Sequence, residues 1–474
     1  MLLQLKIAFE APFAAWRRRL TLWLLGASVL FAPWAFGATQ SWAIISLNFA
    51  GTALGLLWLL ARLGPGDGPE APVRPPRHWT STVLAAGTIL LLLYSFLASV
   101  NARSAFDVSS GAFFPLPHCD WLPHSSDRGA SWLIFWQNVA LAGTFWAARD
   151  WLLPRTAELA ALNSRAHTGL LPLRVRRFLT FIIINGFLLA VVALLQRLDG
   201  TGKLLWLVTP HINQTAAAQF GPFAYRSNGL QYLALIWPLA LGCWSMLSHA
   251  QRQETIFGSG RRAGMLLGGL TLAICPLLWQ SRLSLAVDLA TVLFVVAVLL
   301  KSHPLTRRRL VFLLGFAGTI ALGLALNWHA LAARLAREGW HSRERLELIQ
   351  TGATMFRDNG WFGTGPGSFA SQYLLYRPES HSPWMVQMHC DWLQTLVTYG
   401  AAGSLLLAAM MLAVFFSPAR PGQLVARKSF ILLAGASLAG GLAHALVDFP
   451  FQVYSIQHLF VVLAAFISVL SFKH

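Results

Sequence analysis

Acidic residues are scarce in this chain. Of 474 residues only 18 are Asp or Glu, against 36 Lys or Arg, and charged side chains make up 11% of the whole. So little charge cannot clothe a water-facing surface of this size, which excludes an ordinary soluble domain. Cysteine is scarce too: four residues, too scattered for a disulfide framework. Cys243 and Cys275 fall inside apolar runs, where a cysteine is a small core residue. Cys119 and Cys390 fall in polar segments. Self-similar halves, repeat arrays and low-complexity tracts are also missing, which removes the usual mark of a repeat-built carrier.

What is abundant is apolar sequence. The chain is 56% hydrophobic with a mean hydropathy of +0.55, and apolar runs of about 18 residues or more recur from end to end, the length a bilayer core asks of a helix. These features predict an all-α, polytopic integral membrane protein with about twelve transmembrane helices. The spans are expected near 20–37, 42–61, 80–99, 131–148, 178–196, 229–248, 264–280, 283–300, 310–327, 389–416, 429–447 and 456–472. Arg17, Arg18 and Arg19 before the first run resemble the start of a signal peptide. That run continues to about Gly37, however, and a second follows at once, so the expectation is an uncleaved first span. Residues 1–16 read as an interfacial helix or as nothing ordered.

The net charge of +18 would suggest nucleic acid in a soluble protein. Here it fits the bias of cytoplasmic loops toward Lys and Arg, and no nucleic-acid partner is expected. With the N-terminus inside, about two thirds of the basic residues fall on one face, which is therefore cytoplasmic, as are both termini. The chain divides into 1–327 (spans one to nine), 328–388 (one large outer loop) and 389–474 (spans ten to twelve). A loop of about sixty residues is far longer than compact connections need, and such loops tend to be functional. From Trp328 to Asn359 its composition favours one or two amphipathic surface helices, with Leu331, Leu335, Leu346, Leu348 and Ile349 at helical spacing.

The polar residues held at that outer face are the candidates for chemistry. In W-F-G-T-G-P-G-S-F, from Trp361 to Phe369, Gly363, Gly365 and Gly367 alternate; such a turn either presents N–H groups to an anion or is simply tight. Arg226 stands where the sixth span begins. Arg282 stands in the minimal turn between the seventh and eighth spans, and Arg345 in the loop; together they can form a cationic site for phosphates, or each can snorkel to headgroups. His389 marks the re-entry of the loop into the membrane and suits a general base for a hydroxyl, or a helix cap. Asp391 is an alternative base or an orienting partner. His444 and Asp448 lie at helical spacing around an outer turn, where they can orient one another or make a structural contact. The pentapeptide H-C-D-W-L occurs twice, at His118–Leu122 and His389–Leu393. The two copies could pair Cys119 with Cys390 or bind zinc, although neither has the spacing of a zinc motif, and no metal is expected.

Taken together, these motifs resemble the O-antigen ligase and O-antigen polymerase superfamily of bacterial membrane glycosyltransferases. H-C-D-W-L-Q-T-L-V-T-Y-G-A-A-G looks like that family's histidine element, and R-L-E-L-I-Q with G-T-G-P-G-S-F like its loop signature. G-P-F-A-Y-R-S-N resembles its first arginine motif, Q-S-R-L-S its Ser-Arg motif, and H-A-L-V-D-F-P-F-Q its C-terminal element. The resemblance implies a GT-C-like enzyme of the bacterial inner membrane, working at the periplasmic face without metal or cofactor and inverting the anomeric centre. Its donor would be a glycan on undecaprenyl diphosphate. The acceptor would be lipid A core in a ligase, which is the preferred reading, or a second lipid-linked glycan in a polymerase, or a protein. By the same resemblance His389 deprotonates or positions the acceptor hydroxyl, while Arg226, Arg282 and, less directly, Arg345 engage the diphosphate. Asp391, Gly365, Gly367 and Asp448 are supporting candidates. The sequence departs from the family pattern at Cys390, Thr398, Tyr225 and Ser227. The rival of another class is a transporter or flippase for the same lipids.

Overall fold

A computed structural model describes residues 2–63, 78–107, 109–155, 171–250, 260–279, 282–302, 317–318, 338–377, 385–419 and 424–472. Its helices follow the apolar runs closely. They are α1 (Leu2–Trp34), α2 (Ser41–Leu63), α3 (Trp79–Val100), α4 (Arg128–Leu152), α5 (Leu173–Asp199), α6 (Arg226–Ala234), α7 (Trp237–Ala250), α8 (Gly260–Trp279) and α9 (Arg282–Ser302). Beyond the outer loop come α12 (Asp391–Phe416), α13 (Lys428–His444) and α14 (Tyr454–Ile467), with α10 (Glu338–Asn359) and α11 (Phe369–Tyr376) inside the loop.

Six segments are long and apolar enough to cross a membrane: Ser41–Leu63, Trp79–Val100, Leu173–Asp199, Arg226–Ser248, Leu285–Ser302 and Asp391–Phe416. This is a membrane-integral helical protein. The expectation of about twelve spans meets six of full length and apolarity among the described residues. The expected spans near 20–37, 131–148, 264–280, 429–447 and 456–472 are also helical, but α14 and the apolar part of α8 are short, and α1 carries three charges at Arg17–Arg19. The expected span at 310–327 lies outside the described residues apart from 317–318.

Two details go beyond the expectation. Residues 2–34 form one continuous helix, so the amphipathic start and the first span are not separate elements. And the fold is not purely helical. A hairpin of β1 (Ser104–Asp107) and β2 (Ala112–Pro115) pairs antiparallel, Ser104 opposite Pro115, and a parallel pair joins β3 (Leu424–Ala426) to β4 (Leu470–Phe472). Phe106 and Phe113 face one another edge-on across the hairpin at 5.2 Å, a cross-strand aromatic pair of the kind that stabilises isolated ribbons.

Apolar lipid gives helices no hydrophobic reason to associate, so close packing must supply it. α2 and α4 meet through small residues: a Cβ on Gly51 would lie 2.4 Å from the Ala140 carbonyl oxygen, and one on Gly143 would lie 2.3 Å from that of Gly51. At the centre runs the segment Arg226–Ser248, wholly buried along its apolar window. It breaks between α6 and α7 ahead of Pro238, and Trp237, Tyr232 and Leu235 fill the surrounding core with Phe430 and Phe466. A helix buried all round belongs in a protein interior, and this one carries Arg226 at its outer end.

Above the bundle the loop has its own small core of Leu348, Met355, Phe369, Tyr373, Met388 and Val397. α10 is helical, but of the expected apolar positions within it only Leu348 is buried; Leu346 and Ile349 are exposed. Leu331 and Leu335 lie outside the described residues.

Candidate active site

The Gly-rich turn and α12 are lashed together. α12 is interrupted at Gly400 (φ 61°, ψ −170°), which leaves backbone groups without helical partners in an apolar setting. The turn supplies them. Thr364 and Gly365 donate their N–H groups to the carbonyls of Val397 (2.8 Å) and Thr398 (3.0 Å), while Ala401 and Ala402 donate to Gly360 (2.9 Å) and Trp361 (3.1 Å). Tyr94 of α3 closes the joint, its hydroxyl lying 2.6 Å from the Phe362 carbonyl and 2.9 Å from that of Tyr399. Gly365 has φ +103°, and a Cβ there would lie 2.3 Å from Ser125 Oγ; Gly367 is similarly pressed against Ile134 and Ala130. Of the two readings of these glycines, close backbone approach is the one the geometry has. The Gly365 N–H is engaged by Thr398 and is not offered to an anion.

This joint sets the start of α12, and with it His389. The histidine sits two residues before the helix with φ +54°, a left-handed conformation that costs a residue bearing a Cβ of order 1 kcal/mol or more and marks a position fixed by its surroundings. Its Nδ1 lies 3.2 Å from Asp448 Oδ1; the imidazole is 29% exposed and the carboxylate 4%. Gln231 of the central segment donates to the other carboxylate oxygen, Asp448 Oδ2, at 3.0 Å. With a proton on Nδ1 held by the carboxylate, Nε2 carries the lone pair, and the partner stabilises the imidazolium that forms when it takes a proton.

Two sequence readings are redirected here. Asp391 is not the partner of His389: its oxygens accept from the Phe451 N–H (2.6 Å) and Gln452 Nε2 (2.8 Å), and its own N–H bonds to Ala445 and Asp448 carbonyls. It braces the turn that presents Asp448. His444 does not orient the Asp448 carboxylate; its Nε2 lies 3.3 Å from Asp288 of α9, deep in the bundle. Asp288 and Gln231 drew no attention in sequence because an isolated polar residue in an apolar run has no spacing to give it away.

Around His389 the site is aromatic and basic. Phe449 meets the imidazole edge-on at 4.8 Å, and Tyr225 stacks on Phe449 at 5.6 Å with 9° between the planes. Tyr225 directly precedes Arg226, whose guanidinium donates to the Ala217 carbonyl at 3.1 Å. Burial holds the Tyr225 phenol above its ordinary range, and the nearby Asp448 carboxylate adds to this; a Ser227 hydrogen bond and the charges of Arg345 and Arg226 act the other way. Arg226, Arg345 and Asp448 therefore all act on one phenol. Arg282 opens α9, and its side chain lies outside the described residues.

Beside this cluster opens a cavity of about 990 Å³ between α3, α4, α12 and α14. Gln387, Cys390 and Asp391 line it next to His389, and Leu84, Met411 and Val414 line it at the far end. Among the described residues its lining holds no Arg, Lys or His. Cys119 and Cys390 are both free thiols.

A helical membrane protein with a carboxylate-backed histidine at one rim of its bundle falls in the class of membrane-integral, glycosyltransferase-type enzymes once the family comparison is added. Residues 255–408, about a third of the chain, match the family model for O-antigen ligase, and that match supports the likeness to the O-antigen ligase and polymerase superfamily. The matched stretch contains Arg282, Arg345, the Gly-rich turn and His389, while Arg226 and Asp448 lie on either side of it. No curated protein matches the chain.

Proposed function

We propose that this protein moves a glycan from undecaprenyl diphosphate to an acceptor hydroxyl at the periplasmic face of the bacterial inner membrane, as an O-antigen ligase acting on lipid A core. The observation that carries the reading is the His389–Asp448 pair, with His389 held in a strained backbone inside the stretch that matches the ligase family, and with Tyr225, on which Arg226 and Arg345 act, one ring away.

His389 takes the proton of the acceptor hydroxyl as its oxygen forms a bond to the anomeric carbon. The bond from that carbon to the diphosphate breaks, and undecaprenyl diphosphate leaves with the electron pair. Attack opposite the leaving group inverts the centre. The departing anion needs fixed positive charge, and in this reading Arg226, Arg282 and Arg345 supply it without a divalent ion. The large cavity, apolar along its depth and without a basic residue, suits hydrocarbon better than phosphate, which fits a lipid-linked substrate.

The test is a reconstituted assay with synthetic undecaprenyl diphosphate glycan, candidate acceptors and EDTA. Glycan should appear on lipid A core with release of undecaprenyl diphosphate, and Arg282→Ala should reduce transfer by about 10²-fold or more. Chain growth on the donor lipid would identify a polymerase. Movement of the lipid across liposomes without any bond formation would overturn the transferase reading.

A further inference from the structure

Tyr225 has no part in the chemistry written so far, yet it occupies the centre of the site. Its ring lies flat against Phe449, and Phe449 meets the His389 imidazole edge-on, so the phenol is one ring removed from the base. Its backbone joins it to Arg226, the first residue of α6. It does not cap that helix: its backbone is extended (φ −117°, ψ 117°) and its side chain makes no capping bond. Arg345 and Asp448 act on it from the outer loop and from the turn after α13. A side chain placed among two guanidiniums, a carboxylate and an imidazole has four charged or titratable neighbours and one neutral role left to it, that of a polar group with a fixed orientation.

We propose that Tyr225 contacts the substrate, its hydroxyl donating a hydrogen bond to the diphosphate of the lipid-linked donor beside Arg226. The inference rests on the transferase reading above. A phenol can donate one hydrogen bond and accept others, so a Ser227 bond to this hydroxyl and a bond to an anion are compatible. Burial keeps that proton in place at neutral pH. Two arginines alone would hold a diphosphate as readily before transfer as after it. A hydroxyl of fixed direction adds what charge does not, a preference for one phosphate oxygen in one position, and the stack on Phe449 fixes that direction relative to His389. The ring and the hydroxyl thus have separable duties: the ring holds Phe449 against the base, and the hydroxyl binds the anion.

The experiment uses the full chain in lipid nanodiscs, as wild type, Tyr225→Phe and Tyr225→Leu, with undecaprenyl diphosphate and undecaprenyl monophosphate as binding probes and single-turnover transfer as the second readout. Tyr225→Phe keeps the stack, so its thermal unfolding should match wild type. It should bind the diphosphate about 10- to 100-fold more weakly and transfer more slowly by a comparable factor, with an unchanged pH profile. Tyr225→Leu should show the same binding loss together with a displaced pH profile, because Phe449 is released from the imidazole. Wild-type binding and transfer in Tyr225→Phe would overturn the contact while leaving the transferase reading intact. Failure of the wild type itself to bind the diphosphate would overturn both.

Discussion

The same five residues, His-Cys-Asp-Trp-Leu, build two unlike places in this molecule. At His118–Leu122 the partners come from the same connection between α3 and α4. His118 Nε2 reaches Asp120 two residues on (2.9 Å), Asp120 is 91% exposed, and Trp121 stands in the open. The Cys119 backbone is clasped by the Asn101 side chain, which accepts from its N–H at 2.8 Å and donates to its carbonyl at 2.9 Å. At His389–Leu393 every corresponding group reaches far along the chain: His389 to Asp448, Asp391 to Phe451 and Gln452, and the Trp392 indole to the Leu442 carbonyl (3.0 Å). A motif becomes a site when distant sequence folds onto it. The second copy has α13 and its following turn as that partner, and the first has only its own loop.

Matched substitutions in the two copies sharpen this contrast. The largest effect is expected for His389→Ala, which should cut glycan transfer by about 10³-fold without affecting membrane insertion, while His118→Ala should stay within about twofold; in vivo transfer onto the acceptor measures both. Equal losses would end the distinction between the copies. Next comes stability. Asp391→Ala leaves a buried N–H and an amide without their acceptor and should cost about 3 kcal/mol, read as a lower unfolding midpoint, whereas Asp120→Ala should change it by less than about 0.5 kcal/mol. The smallest effect concerns His124, which follows the first copy. Partial burial holds its imidazole below the ordinary histidine range. The unfolded chain then binds the proton more readily than the folded one, so this histidine leaves stability intact above about pH 6.5 and erodes it as pH falls from there toward the folded value. His124→Gln should flatten the acid side of the stability profile, measured by unfolding between about pH 7.5 and 5.

Much of this was legible in the sequence because the bilayer imposes a coarse grammar. Apolar length alone located α2, α3, α5, α9 and α12 to within a few residues, and the amphipathic composition near Asn359 announced α10. His389, Arg226 and Asp448 stood out as polar residues at helix ends. What escaped was pairing. Asp391 lies two residues from His389 and looked like its natural partner, but a helix start points those side chains apart, and the turn at Pro450–Gln452 claims Asp391 instead. His444 and Asp448 have helical spacing, yet α13 ends at His444, so the two side chains do not share a helix face. Tyr225 looked like a mere departure from a family pattern, because nothing local shows that Phe449 would stack on it.

The break in α12 carries a consequence for biogenesis. A span whose middle lacks its own hydrogen bonds is poorly suited to rest alone in lipid. The turn that completes it, Gly360–Gly365, is made earlier in synthesis and must wait until α12 arrives, when Tyr94 can clasp both. Damage to this turn should therefore register first as protein that is inserted but cleared by quality control, with amounts falling before the activity of each surviving molecule does.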